Sequence, residues 1–286
     1  MNKSIIKKLI NNIKKSDFNK SSYWQKHLSD NSNFFNEFEH LNFGAYQEKK
    51  ISNILEDILI RIIFTPKIFK TQTYKRYKSI FDSTNRYINS DTIRHIFTFE
   101  KLNYYLKPKT ICIIGDGKLN AVLGAHLTYP LAKIYSVNLS ETLINDYVIL
   151  NKTNIDLKKS VEVVDDINFI SNNEMLTLVP SNFKEFLLNK NIELFINISS
   201  FQEMSTSEIN NYFEIIKNNK SKLYCCNREY KKLYEEEELY FEKYPFANSK
   251  IIFWEDCPWL RKYYSLRFPF IHNYDGNHKH CLVDFS

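Results

Sequence analysis

The chain predicts an α/β fold: a mostly parallel seven-stranded sheet with helices on both faces, an antiparallel hairpin at its end and a helical extension before it. Three observations carry that expectation. Strand-like and helix-like segments alternate from Lys109 onward, which implies right-handed crossovers and a parallel sheet. Two of only five glycines, Gly115 and Gly117, directly follow the β-branched run Thr110–Ile114, so strand, tight turn and helix come in succession. The alternation then breaks: Leu266–His272 and Lys279–Phe285 flank the turn-rich Asn273-Tyr-Asp-Gly-Asn277, as in a hairpin.

Composition bounds the function classes. With 286 residues, 43% of them apolar and 15% aromatic, the chain can fill a sizeable core. A net charge of +6 is compatible with anionic partners but does not demand nucleic acid, whose binders usually show a concentrated basic face, and no nucleic-acid partner is expected. The five cysteines (Cys112, Cys225, Cys226, Cys257 and Cys281) form no C-x-x-C pair, so reduced thiols in a cytoplasmic protein are expected. The first residues carry no signal-peptide pattern, and no apolar run reaches the length of a membrane span.

Residues 1–108 read as a helical extension, a lid or a dimerisation element, and 109–286 as the α/β domain. Ile5, Ile6, Leu9, Ile10 and Ile13 share one stripe of a basic helix. Residues 1–16 are expected to dock on the chain's own domain or a second subunit, with weak peripheral membrane association as the alternative. Ile51, Ile54, Leu55, Ile58, Leu59, Ile62 and Ile63 form a wider stripe ending before Pro66, read as a core helix. Ser90 or Asp91 caps a helix that runs from Thr92 towards Leu106.

Strands are then expected at Thr110–Ile114, Lys133–Asn138, Met175–Val179, Glu193–Ile198 and Leu223–Cys226, with Val161–Val164 ambiguous. Helices fall at Asn120–Tyr129, Glu141–Asn151 and Phe183–Leu188. Ser205-Thr-Ser-Glu208 is a capping box opening a helix over Thr206–Asn218. The acidic run Glu235–Glu238 reads as a solvated face.

Several segments carry a resemblance. Gly-x-Gly after the first strand, together with the antiparallel end, resembles the Rossmann-like fold of class I S-adenosylmethionine-dependent methyltransferases. Asp91-Thr-Ile-Arg-His95, Ile113-Ile-Gly-Asp-Gly117 and Phe195-Ile-Asn-Ile-Ser-Ser-Phe-Gln-Glu-Met204 resemble the sugar O-methyltransferase branch, over roughly residues 75–286. The chain departs from that pattern in three places. Ile113 stands where an acidic residue is usual, Leu119 replaces the third glycine, and Asn138 replaces the acid that holds the cofactor ribose. Asp116 or Glu141 could supply the missing charge nearby.

The resemblance implies methyl transfer from S-adenosylmethionine to a sugar hydroxyl of a polysaccharide, glycoconjugate or nucleotide-sugar precursor. Gly115, Asp116 and Gly117 would approach the methionine moiety, Asn138 and Leu139 the ribose and adenine side, and Asn182 and Phe183 the adenine. Asn197 and Ser199 would line the same edge, while Arg94, His95 and Gln202 would reach cofactor or acceptor. A sugar hydroxyl needs a general base. Glu203, following a strand at the carboxyl edge of the sheet, is the first candidate and His272 the second. A divalent metal is compatible but not indicated: His278 and His280 share one strand face, while His272 and Asp275 lie in or beside a turn. Two rival readings stand beside this one. One is an NAD(P)-dependent oxidoreductase, whose fingerprint fails at Asn120 and Asn138. The other is a non-catalytic scaffold that kept the fold.

Overall fold

The computed structural model describes residues 2–13, 53–166, 168–233, 237–274 and 276–286. Among the described residues four helices come first: α1 (Lys3–Ile13), α2 (Asn53–Ile63), α3 (Gln72–Ser83) and α4 (Ser90–Tyr105). The alternating body runs β1 (Thr110–Ile114), α5 (Asn120–Thr128), β2 (Lys133–Asn138), α6 (Ser140–Lys152), β3 (Val161–Val163), β4 (Leu176–Pro180), β5 (Leu194–Ile198), α7 (Thr206–Asn218) and β6 (Lys222–Arg228). Six strands follow: β7 (Tyr230–Lys232), β8 (Glu238–Tyr240), β9 (Lys250–Asp256), β10 (Lys262–Tyr264), β11 (Ile271–Asn273) and β12 (His278–Asp284).

Eight of these strands make one sheet in the order β3-β4-β2-β1-β5-β6-β12-β9, antiparallel only at β12. The order turns back at β1, with β2 on one side and β5 on the other. That reversal opens a crevice over the carboxyl ends of β1 and β5, where ligands of open α/β sheets lie. Its cause is visible in β1 itself. Ile111 and Ile113 pack into the core on one face, while Cys112 and Ile114 pack into the core on the other. Both faces of a parallel strand are then covered, so the sequence reads as an unbroken apolar run.

Two sequence expectations are corrected here. The ambiguous run at Val161 is the edge strand β3, which brings the sheet to eight strands. The antiparallel partner of the last strand is β9, not Leu266–His272, and β12 sits between β6 and β9. The continuous buried run Cys281-Leu282-Val283 needs cover on both faces, which an edge hairpin cannot give. Leu266, Phe268 and Phe270 are exposed, and Pro269 has no N–H for a ladder. That segment instead links β10 to β11 in a separate two-stranded ribbon.

The helical part packs on the sheet body. α1 buries Ile5, Ile6, Leu9 and Ile13, its Asn2 N–H donates to Tyr147 Oη at 3.1 Å, and Lys8 pairs with Asp165 at 3.1 Å. The stripe that a membrane would need is therefore covered by the chain's own domain; residues 14–16 lie outside the described residues. In α2 only Leu59 and Ile60 are buried, while Ile54, Leu55, Ile58 and Ile62 are exposed. It is thus not the core helix that its stripe predicts, and Ile51 lies outside the described residues. Asn89 caps α4, accepting from Thr92 N at 2.9 Å, one position before the expected Ser90. Ser205 caps α7 as expected. Of the acidic run, residues 235 and 236 lie outside the described residues. Among the described residues, no helix is long and apolar enough to cross a membrane.

Candidate active site

β1 delivers the chain to the crevice through a bend that ordinary side chains resist. Gly115 (φ +78°), Gly117 (φ +67°) and Leu119 (φ +57°) all take left-handed backbone. What approaches Gly115, however, is protein. A Cβ there would lie 2.0 Å from Ser200 Oγ, so the glycine lets the loop after β5 close onto the bend after β1. Ser199, at φ +61°, turns that loop, and its N–H donates to Cys226 O at 2.7 Å. A Cβ at Gly117 would meet Thr142 of α6 at an ordinary 3.4 Å. Gly115 thus serves packing, whereas Gly117 is required by its left-handed backbone, and residues 115–118 stay half-buried.

Asp116 has a definite task. Its two oxygens accept from Ala121 N (2.9 Å) and Val122 N (2.8 Å), while Asp146 Oδ1 accepts from Leu119 N (2.8 Å). Two carboxylates therefore cap the start of α5, where orphan N–H groups and the helix dipole favour negative charge. Burial raises the pKa of both, and for Asp146 the neighbouring Asp116 raises it further; Arg86 and, at Asp116, His95 pull the other way. Glu141, buried in the first turn of α6, adds a third acid beside the bend.

Along the cofactor edge, Asn138 Oδ1 accepts from Leu139 N at 2.9 Å, and both residues are half-buried. Asn182 exchanges amide hydrogen bonds with Asn12 of α1 (3.0 and 3.2 Å), which brings the N-terminal helix to the carboxyl end of β4. Phe183 is half-buried beside it. Asn197 departs from its expected ligand role. It is fully buried, donates to Ile114 O (3.3 Å) and accepts from Phe201 N (3.1 Å) and Asn227 Nδ2 (2.9 Å). It ties β1, β5 and β6 together.

Glu203 ends the 3-10 turn Phe201–Glu203 after β5. Gln202 braces that turn: its N–H donates to Asn227 Oδ1 (3.1 Å) and its Oε1 accepts from Arg228 N (2.9 Å). Its side-chain carbonyl thus serves the backbone of β6 before any substrate. Burial pushes the Glu203 carboxyl up to about 7, against the pull of Lys231 and Lys118. Lys118 Nζ also lies 3.5 Å from Asp91 Oδ2, and so connects Glu203 to α4. Burial would raise Asp91, but Lys118, His95 and Arg94 together outweigh it and hold it below the ordinary range. Lys118, His95 and Arg94 thus act on Asp91, His95 also on Asp116, and Lys118 also on Glu203.

His272 falls elsewhere. It stacks on Tyr263 (centroids 5.2 Å apart) within the β10–β11 ribbon, and the run continues through Tyr274 to His278. Two rings, Tyr263 and Tyr274, separate it from His278. The expected histidine group at the terminal turn is dispersed. His280 bonds Tyr224 Oη (3.1 Å) and Glu255 (3.0 Å), His278 packs on Tyr274, and Asp275 lies outside the described residues. All five cysteines are free and buried.

Sequence reasoning missed Lys118, Ser200, Asn227, Arg228 and Tyr274. Arg228 and His278 face each other across β6 and β12, a proximity that only the strand register reveals. Lys118 had a readable signal, since it lies inside the glycine bend.

No family model matches the chain, and no curated protein matches it. Among solved structures, a proposed RNA methyltransferase from Pyrococcus horikoshii aligns over 75% of this chain and 98% of its own, with 10% identity and a TM-score of 0.43. Coclaurine N-methyltransferase bound to N-methylheliamine and SAH aligns over 89% of this chain and 73% of its own, with 7% identity and a TM-score of 0.41. The plantazolicin methyltransferase in complex with SAH covers 82% and 98%, with 14% identity and a TM-score of 0.38.

Proposed function

We propose that the chain is an S-adenosylmethionine-dependent methyltransferase acting on a sugar hydroxyl of a polysaccharide, glycoconjugate or nucleotide-sugar precursor. The observation that carries this reading is the carboxylate-capped start of α5. A dinucleotide-binding fold needs those N–H groups for a pyrophosphate. Here Leu119, Ala121 and Val122 donate to Asp146 and Asp116 instead. With those N–H groups already taken, a pyrophosphate finds no donors at the start of α5, which argues against the nicotinamide alternative.

Bound there, S-adenosylmethionine would supply an electrophilic methyl group. In this reading the 115–117 bend and Asp116 border its cationic end, Asn138 and Leu139 its ribose and adenine side, and Asn182 and Phe183 its adenine. Residues 109–286 form the working body. Within the 1–108 extension, α1 walls the adenine side through Asn12, a role that fits a lid better than a dimer contact. Glu203 takes the hydroxyl proton as the acceptor oxygen attacks. A carboxyl titrating near 7 is matched to that task, being basic enough to accept a proton and largely ionised just above neutrality. His272, the second candidate base, stands on the β10–β11 ribbon against Tyr263.

Calorimetric titration with S-adenosylmethionine, S-adenosylhomocysteine and NAD(P) tests the reading. Binding of the first two without NAD(P) supports it. NAD(P) binding alone supports the oxidoreductase, and silence with all three supports a scaffold.

A further inference from the structure

We propose that the acceptor carries an oxyanion, a carboxylate or a phosphate ester, held by the Arg94 guanidinium and His278 beneath Tyr274. This rests on the methyltransferase reading for the word acceptor, while the anion site itself stands on geometry alone. Arg94 lies on α4 with its guanidinium carbon 4.9 Å from the Tyr274 ring centroid, and His278, at the start of β12, packs edge-on against the same ring at 5.3 Å. Both therefore converge on one aromatic platform at the carboxyl edge of the sheet.

Among the described residues, Arg94 Nε and Nη2 have no hydrogen-bond partner, and neither has Nδ1 of His278, a residue only 5% exposed. Buried donors without partners cost stability, and a guanidinium costs more than a neutral group. The acid one turn earlier, Asp91, already accepts from Lys118 (3.5 Å) and Asn120 (3.4 Å). Nε and Nη2 form the side-on fork that pairs with two oxygens of one carboxylate or phosphate. Positive charge accumulates here as well. Burial, with Arg228 and Arg94, lowers the pKa of His278 to about 4, so the ring is neutral at pH 7 and holds the anion through the tautomer that carries its proton on Nδ1. Arg94 is half-buried as a whole, while Nε and Nη2 themselves are buried. The run Tyr274, Tyr263 and His272 extends beside it as a wall on which a sugar face can stack.

The test uses the full chain with labelled histidine rings, followed by NMR during titration with inorganic phosphate, glucose 1-phosphate, glucuronate and neutral glucose. The His278 resonances should move with phosphate esters, with glucuronate or with both, and the arm that binds tighter identifies the oxyanion. Neutral glucose should leave them in place. Arg94→Gln should weaken the anion by roughly ten-fold or more, with Arg94→Lys intermediate. S-Adenosylhomocysteine affinity should be unchanged in both variants. No response to any anion overturns the proposal, and so does a comparable loss of S-adenosylhomocysteine affinity in Arg94→Gln, which would assign the guanidinium to the cofactor carboxylate. If the wild type binds anions through Arg94 but no S-adenosylhomocysteine, the anion site holds and the methyltransferase reading falls.

Discussion

Replacing Glu203 with Gln separates the chemistry from the architecture. The carboxyl is pushed from 4.5 up to about 7 by burial, so keeping it ionised above neutrality costs the folded protein about 3 kcal/mol. The sign follows from proton binding. Between 4.5 and 7 the folded chain holds the proton that the unfolded chain has released, so this group lowers stability as pH rises through that window. Gln cannot ionise. Glu203→Gln should therefore match the wild type near pH 4 and exceed it by about 3 kcal/mol near pH 8. Turnover should fall by about 10²–10⁴-fold, the typical worth of a positioned base, with S-adenosylhomocysteine affinity unchanged. Urea titrations of both proteins across pH give the stability difference. That difference is the quantity to read, because His278 and His280, lowered to about 4, push the wild-type profile in the opposite direction over an overlapping range. A difference that stays flat with pH would refute the buried carboxyl, and retained turnover would refute its role as base.

The same two histidines predict that stability declines as pH falls from about 6.5 to about 4, since the unfolded chain binds protons there first; His280→Gln should flatten the profile by about 3 kcal/mol in urea titrations. Gly115→Ala places a Cβ against Ser200 at left-handed φ, and should cost about 2–4 kcal/mol in denaturant midpoint. The double variant Gly115→Ala, Ser200→Gly should recover part of that cost. Asp116→Ala removes the acceptor of two α5 N–H groups and should lower stability by about 1–2 kcal/mol by thermal melting, while weakening S-adenosylmethionine more than a neutral adenosine.

The linear pattern determined the local elements well. Thr110–Ile114, Lys133–Asn138 and Thr206–Asn218 fall where apolar runs, turn residues and the Ser205 cap put them, because those signals act between neighbours a few residues apart. It also supplied the bend at Gly115–Gly117 and singled out Glu203. Ring and pair contacts were not legible. His278 reads as one of a histidine group, yet its neighbours Arg94 and Tyr274 come from α4 and the far end of the ribbon. Asn197 reads as a ligand contact and proves to be a tie between three strands.

The sequence by itself determined the alternating body, the carboxyl-edge bend and the apolar stripe of α1. Tertiary structure alone decided that β12 inserts between β6 and β9, that Asn12 meets Asn182, and that carboxylates instead of a ligand cap α5. The reason is physical. Helix and strand formation respond to residues close in sequence, whereas burial, charge neighbourhood and unmet hydrogen bonds arise only when distant segments share one low-dielectric space.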